Sequence, residues 1–153
     1  MKKVIDNFGG EYNWLSNFSP HGFIDEFGIR ANTVEHYFQA FKAYYLKDFN
    51  KILNAKTPAE AKKLGRKTKM RLDWNLIRLS VMKKAINLKF KQNPEIMNKL
   101  LSTGNVELIE GNCWGDTYWG VCNGCGQNML GKLLMELREE LRNEMATVYR
   151  GSN

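Results

Sequence analysis

Apolar residues recur at helical spacing through most of this chain and alternate at strand spacing in only two short places. Val34, Tyr37, Phe38, Phe41 and Tyr45 form one stripe, and Asn32 with Glu35 three residues on fits a capping box at its start. A short helix is expected from about Phe49. Thr57, Pro58 and Glu60 make a second capping box with Pro at the first helical position, and Gly65 is expected to close that helix in a left-handed cap. After a basic link (Arg66, Lys67, Lys69, Arg71), Asp73 is expected to cap a longer helix whose buried side is Ile77, Val81, Ala85 and Leu88. Asn93 and Pro94 end it and start another, which Gly104 stops. A last helix from about Met129 to Thr147 puts Leu130, Leu133, Leu134, Leu137 and Leu141 inside.

The strand signals are brief. GFIDEFGIRA reads as a hairpin turning around Asp25 to Gly28, and VELIE alternates before GNCWGDTYWGVCNGCGQN, a stretch too rich in Gly, Asn and aromatics for helix or core strand. With no internal repeat, no linker and no low-complexity run, the expectation is one domain over 1–153. Its predicted class is α+β, mainly helical, with short strands and a Gly/Trp-rich loop.

Composition narrows the class further. A chain of 153 residues with 43% hydrophobic and 25% charged positions buries roughly two thirds of its unfolded surface and needs no staple. Three Cys exclude a disulfide-dense scaffold, no run approaches the roughly 20 apolar residues of a membrane span, and MKKVIDNFGG carries no apolar stretch after its lysines. A cytoplasmic protein with reduced thiols and no membrane partner is expected. Charge is uneven: Lys42 to Lys99 holds 16 of the 23 Lys and Arg but only Asp48, Glu60, Asp73 and Glu95 among the acids, so this span carries +12 and the remainder −5. Such a span suits a phosphate-bearing partner, nucleotide or nucleic acid, or else is a solvated helix surface.

Three groupings are candidates for chemistry. Asp116 and Trp119, three residues apart in the Gly-rich loop, can turn a carboxylate and an indole toward one pocket; an Asx-turn with a core-plugging indole explains the same spacing. Glu35, Gln39 and Lys42 fall on one helical face and can line a cleft, although a capping Glu and a solvated Lys would look the same. Cys122 and Cys125 form a CxxC with Cys113 upstream, but the local Cys/His pairs of a zinc site and the helix-opening context of a redox pair are both missing, so no metal and no cofactor is expected.

Six segments together carry a resemblance: YNWLSNF (12–18), NTVEHYFQAFKA (32–43), RLDWNLIRLSVMKKAINLKF (71–90), LLSTGNVELIEGN (100–112), DTYWG (116–120) and GQNMLGKLLMELR (126–138). In this order, over nearly the whole chain, they resemble the YbiA-like, or NADAR, family. The resemblance implies an N-glycosidase fold that cleaves the bond between ribose C1′ and a nitrogen, acting on phosphoribosylamino-pyrimidine intermediates of riboflavin synthesis or removing ADP-ribose from guanine. By motif, Glu35, Trp74, Asp116 and Trp119 match the family's active-site positions: Glu35 and Asp116 are the catalytic pair, and Trp74 and Trp119 bind substrate. Lys42, Asn128 and Arg138 match substrate-side motif positions. VCNGCGQN departs from the family's Gly/Asn-rich run.

The chemistry of the residues agrees with that reaction. Breaking C1′–N builds an oxocarbenium-like cation, which one carboxylate can stabilise while another group protonates the leaving nitrogen. Indoles at 74 and 119 suit a flat leaving group, and Arg66, Lys69 and Arg71 of the basic link suit its phosphates. The expected partner is a phosphorylated ribosyl or ADP-ribosyl small molecule, or ADP-ribosylated nucleic acid. The competing class is a non-catalytic ADP-ribose or nucleic-acid binding module.

Overall fold

The computed structural model describes residues 3–152. In chain order it contains β1 (Val4–Ile5), a 3-10 helix (Gly10–Leu15), β2 (Phe23–Ile24), β3 (Arg30–Ala31), α1 (Val34–Lys42), α2 (Leu46–Leu53), α3 (Pro58–Lys67), α4 (Trp74–Gln92), α5 (Pro94–Ser102), β4 (Glu107–Leu108), β5 (Gly111–Asn112), β6 (Val121–Cys122) and α6 (Met129–Arg150). The architecture is the expected helical α+β type with short strands. The chain divides into two compact units, Asn17–Asn93 and the remainder on either side of it.

In the Asn17–Asn93 unit the predicted hairpin is present, with β2 and β3 antiparallel. Asp25 organises its turn: one carboxylate oxygen accepts from the N–H of Phe27 (3.0 Å) and Ile29 (2.9 Å), and the other accepts from the Tyr37 hydroxyl (2.9 Å). Burial and the bond to Asp25 push the Tyr37 phenol well above its usual pKa.

The cap of α1 differs from expectation. β3 extends the chain through Ala31, and Thr33, one residue beyond Asn32, caps the helix by accepting the N–H of His36 (3.1 Å). The His36 ring bonds the Thr33 hydroxyl (2.8 Å) and donates from Nε2 to the Ala55 carbonyl (2.9 Å), so it ties α1 to the segment before α3. Since α2, α3 and α4 all pack on α1, every residue from Val34 to Ala40 is buried, polar ones included. Tyr45 lies past the helix end and is exposed.

α2 begins at Leu46 rather than near Phe49, and Ile52 joins Ala40, Ala55 and Ala61 in a small core. Thr57 caps α3 as predicted, accepting the Glu60 N–H (3.1 Å), while Glu60 reaches back to the Lys56 N–H (2.8 Å). Gly65 does not close the helix. α3 continues to Lys67 with Gly65 buried inside it, because this is where α3 approaches Gln39 of α1: a Cβ here would overlap Gln39 Oε1 and lie 2.8 Å from its Cδ. Asp73 precedes α4 without a side-chain capping bond, its carboxylate being taken by Arg71 at 2.6 and 3.1 Å. The buried side of α4 is Trp74, Met82, Ala85, Ile86, Lys89 and Phe90. Trp74 packing on Phe38 rotates the helix so that Ile77, Val81 and Leu88 are only half-buried.

In the other unit β1 and β4 are parallel neighbours, and the Ile109 N–H extends the pairing to the Ile5 carbonyl (2.8 Å). α5 starts at Pro94, and Gly104 ends its turn at φ +62°. α6 buries the five predicted leucines and runs to Arg150, three residues past Thr147. Among the described residues no helix is long and apolar enough to cross a membrane.

Candidate active site

Within the Asn17–Asn93 unit, Glu35, Gln39 and Lys42 share one face of α1, which α3 meets at Gln39. Glu35 is 7% exposed and Gln39 8%. Since Thr33 caps the helix, the capping explanation of Glu35 falls away, and its Oε1 instead accepts from Gln39 Nε2 at 2.9 Å. Gln39 Oε1 is buried without a hydrogen-bond partner, held in the notch that Gly65 leaves. Burial lowers the pKa of the half-buried Lys42 ammonium; the Glu35 charge opposes that shift and the Arg66 charge adds to it. A buried carboxylate bonded to an amide donor therefore sits within electrostatic range of Lys42, and Lys42 of Arg66, an arrangement that can face a cationic sugar carbon and hold an anionic group beside it.

Lys69 and Arg71 of the basic link are engaged locally. The chain at 43–45 pairs with 69–71, through an Ala43–Met70 bridge and bonds from Tyr44 N to Lys69 O (2.8 Å) and Arg71 N to Lys42 O (3.0 Å). Lys69 places its ammonium over the rings of Tyr44 (4.3 Å) and Tyr45 (5.6 Å), and Arg71 is paired with Asp73. Of the three predicted phosphate contacts, only Arg66 couples to the Glu35–Lys42 group. Trp74 is 4% exposed, its ring 4.9 Å from that of Phe38; it supports α1 from beneath.

Within the other unit the Gly-rich loop is built around Asp116. Its Oδ1 accepts from the N–H groups of Tyr118 (3.2 Å) and Trp119 (2.9 Å), the Asx-turn that the spacing allowed. Asp116 is nonetheless half-buried rather than lost in the core, as is Trp119, whose indole meets Tyr118 edge-on at 4.8 Å. Main-chain bonds from Gln127, Met129 and Leu130 to Thr117, Tyr118 and Trp119 dock this turn on the start of α6. The turn and a chemical role for the carboxylate are thus compatible, because a single carboxylate oxygen makes the turn.

Asn128 and Arg138 are occupied inside this unit. Asn128 is buried at φ +52°; its Oδ1 accepts from the Glu110 N–H (3.0 Å) and its Nδ2 donates to the Leu108 carbonyl (2.9 Å), so it fastens β4 to the head of α6. Arg138, 6% exposed, donates to Thr103 Oγ1 (2.7 Å) and the Val106 carbonyl (2.8 Å). Sequence reasoning passed over Glu110 and Asn112 as individual site residues. Asn112 bonds both N and O of Asp116 and the Glu110 carboxylate, and the available signal was their i, i+2 spacing, which places two side chains on one side of an extended segment. Cys122 and Cys125 exchange main-chain bonds across the turn at Asn123 and Gly124, with Cys122 buried and Cys125 exposed. A surface groove of about 530 Å³ lined by Lys3, Tyr12, Trp14, Lys99 and Thr103 among others contains none of the predicted site residues.

Comparison with known proteins gives a consistent set of relatives. The model of the NADAR domain matches residues 6–142. An N-glycosidase of Nostoc punctiforme is 44% identical over 138 residues, covering 86% of this chain and 87% of that protein. N-glycosidase YbiA of Escherichia coli is 38% identical, with 92% and 91% covered. The maize riboflavin biosynthesis protein PYRR is 38% identical over 91% of this chain but only 24% of its own length. The NMR structure of the E. coli protein YbiA superposes with a TM-score of 0.84 at 37% identity, covering 95% of this chain and 89% of that one.

Proposed function

The chain belongs to the NADAR domain family, and on that premise we propose that it hydrolyses the bond between ribose C1′ and a nitrogen in a phosphorylated ribosyl substrate. N-glycosidase is the activity in the names of its relatives. The observation that carries the reading in this chain is the Glu35 carboxylate, buried and bonded to Gln39, with Lys42 in electrostatic reach of it and Arg66 in reach of Lys42. As C1′–N lengthens, positive charge grows on the sugar; Glu35 stabilises it, water adds to C1′, and the nitrogen leaves with a proton. Lys42 and Arg66 receive a phosphate of the substrate. Asp116 is the second catalytic carboxylate, and Trp119 stacks on the flat leaving group. Trp74, Asn128 and Arg138 serve binding indirectly, by holding the elements that carry these groups.

The substrate class we favour is the phosphoribosylamino-pyrimidine of riboflavin synthesis. Two relatives are named riboflavin biosynthesis proteins, and of Arg66, Lys69 and Arg71 only Arg66 is coupled to Lys42 while Lys69 and Arg71 have partners of their own, which fits a substrate with one phosphate. ADP-ribosylated guanine is the second reading, favoured by the +12 charge of the Lys42 to Lys99 span. The test is incubation of purified protein with both compounds and mass spectrometry of the products. Released ribose phosphate supports the first, released ADP-ribose the second, and binding of either without cleavage supports the non-catalytic module.

A further inference from the structure

We propose that Glu110 is a positioning residue for Asp116, acting through the Asn112 amide; this rests on Asp116 being catalytic. The geometry leaves Asn112 one orientation. Its Nδ2 donates both to Glu110 Oε2 (3.1 Å) and to the Asp116 carbonyl (2.8 Å), while its Oδ1 accepts the Asp116 N–H (3.0 Å). A carboxylate can only accept, so Glu110 holds the Nδ2 end of the amide toward itself and the Asp116 carbonyl, which leaves the Oδ1 end for the Asp116 N–H. Both main-chain polar groups of Asp116 are gripped in this way, and its side chain is locked in turn by the N–H groups of Tyr118 and Trp119.

Glu110 is itself held on several sides. Its N–H bonds Asn128 Oδ1 (3.0 Å) and its carbonyl accepts the Val121 N–H (2.8 Å). Gly120 provides the room for its side chain: a Cβ there would overlap both Glu110 Oε2 and the Glu110 carbonyl and lie 2.8 Å from Asn112 Nδ2. The glycine of the DTYWG motif therefore serves the carboxylate at 110 rather than a turn of its own. A site held within a fraction of an ångström depends on such supports, and this one links the residue before β5, the amide at the end of β5 and the turn at Asp116.

The experiment compares Glu110→Met, which removes the acceptor, with Glu110→Gln, which keeps an acceptor oxygen, in the full chain. Glu110→Met should lower kcat on the order of 10- to 100-fold with KM changed by less than about threefold, since phosphate contacts are untouched. Glu110→Gln should recover most of that rate and keep the wild-type pH profile. Amide hydrogen exchange gives a readout independent of substrate: the Asp116 N–H should be protected in wild type and in Glu110→Gln and should lose protection in Glu110→Met. Equal defects in both variants, with loss of one limb of the pH profile, would mean that Glu110 contacts substrate itself and would overturn the proposal. So would unchanged protection of Asp116 in Glu110→Met, or unchanged kcat per folded molecule with only a lower melting point. If wild type cleaves no ribosyl-nitrogen compound while the exchange pattern follows expectation, the hydrolase reading fails and the positioning geometry stands.

Discussion

Replacing Gly65 by Ala tests the packing beneath Glu35. In an open helix interior the change would stabilise by up to about 1 kcal/mol, since Ala is the better helix former. Here the added methyl would overlap Gln39 Oε1 and crowd its Cδ at 2.8 Å. The protein has two ways to relieve this. Swinging Gln39 aside breaks its bond to the Glu35 carboxylate, at about 1.5–3 kcal/mol for a bond to a charged group. Separating α3 from α1 costs a similar 1–3 kcal/mol of overpacking strain. Either exceeds the propensity gain, so a net loss of roughly 1–2 kcal/mol is expected, or a fall of about 2–8 °C in Tm for a chain of this size. Because Glu35 loses its orienting donor, kcat should fall as well, on the order of tenfold. Chemical denaturation and steady-state kinetics should be measured on Gly65→Ala, Gln39→Ala and the double variant. The double variant should be more stable than the two single losses add up to, since the clash is gone once Gln39 is short. A Gly65→Ala protein at least as stable as wild type, with full activity, would refute the notch.

Four further outcomes follow from the geometry. Asp116→Asn keeps an oxygen for the Tyr118 and Trp119 N–H groups and removes only charge; kcat should fall on the order of 10²–10³-fold with stability within about 1 kcal/mol, and turnover near wild type would reject Asp116 as catalytic. Trp119→Ala should raise KM and cut kcat/KM about ten- to a hundredfold, with Phe restoring part of it; a large drop in Tm with unchanged kinetics would assign the indole to packing alone. Arg66→Glu should weaken capture of a phosphorylated substrate in a salt-sensitive way, whereas Arg71→Glu should act mainly by repelling Asp73; equal effects on KM would show that the basic link acts as one surface. Lys89, 1% exposed, is pushed by burial from 10.5 to about 7: between those values the unfolded chain binds the proton that the folded chain has released, so wild-type stability should rise with pH over that window and be lowest below it. Lys89→Met should be more stable at neutral pH and should flatten the rise, which melts from pH 6 to 10 will check.

Much of the architecture was written locally. The Thr57–Pro58–Glu60 cap, the Asp25 hairpin, the Pro94 start and Gly104 stop of α5, and the leucine face of α6 each depend on residues within one turn of one another, so chain order alone specifies them. The six motif segments likewise led to the family, and they put forward Glu35 and Asp116 as its candidate catalytic residues. What failed locally failed for tertiary reasons. Gly65 looked like a helix stop because glycine usually is one, and only the approach of α1 makes it an interior contact. Asn32 yielded the cap to Thr33 because β3 pairs with β2 and carries the extended chain that far. Charge offered Arg66, Lys69 and Arg71 one common role without their neighbours, which the tertiary structure supplies: the strand-like pairing of 43–45 with 69–71 brings Tyr44 and Tyr45 to Lys69, and Asp73 pairs with Arg71. Spacing tells which residues can share a face; which of those faces is covered, and by what, is decided only when distant elements meet.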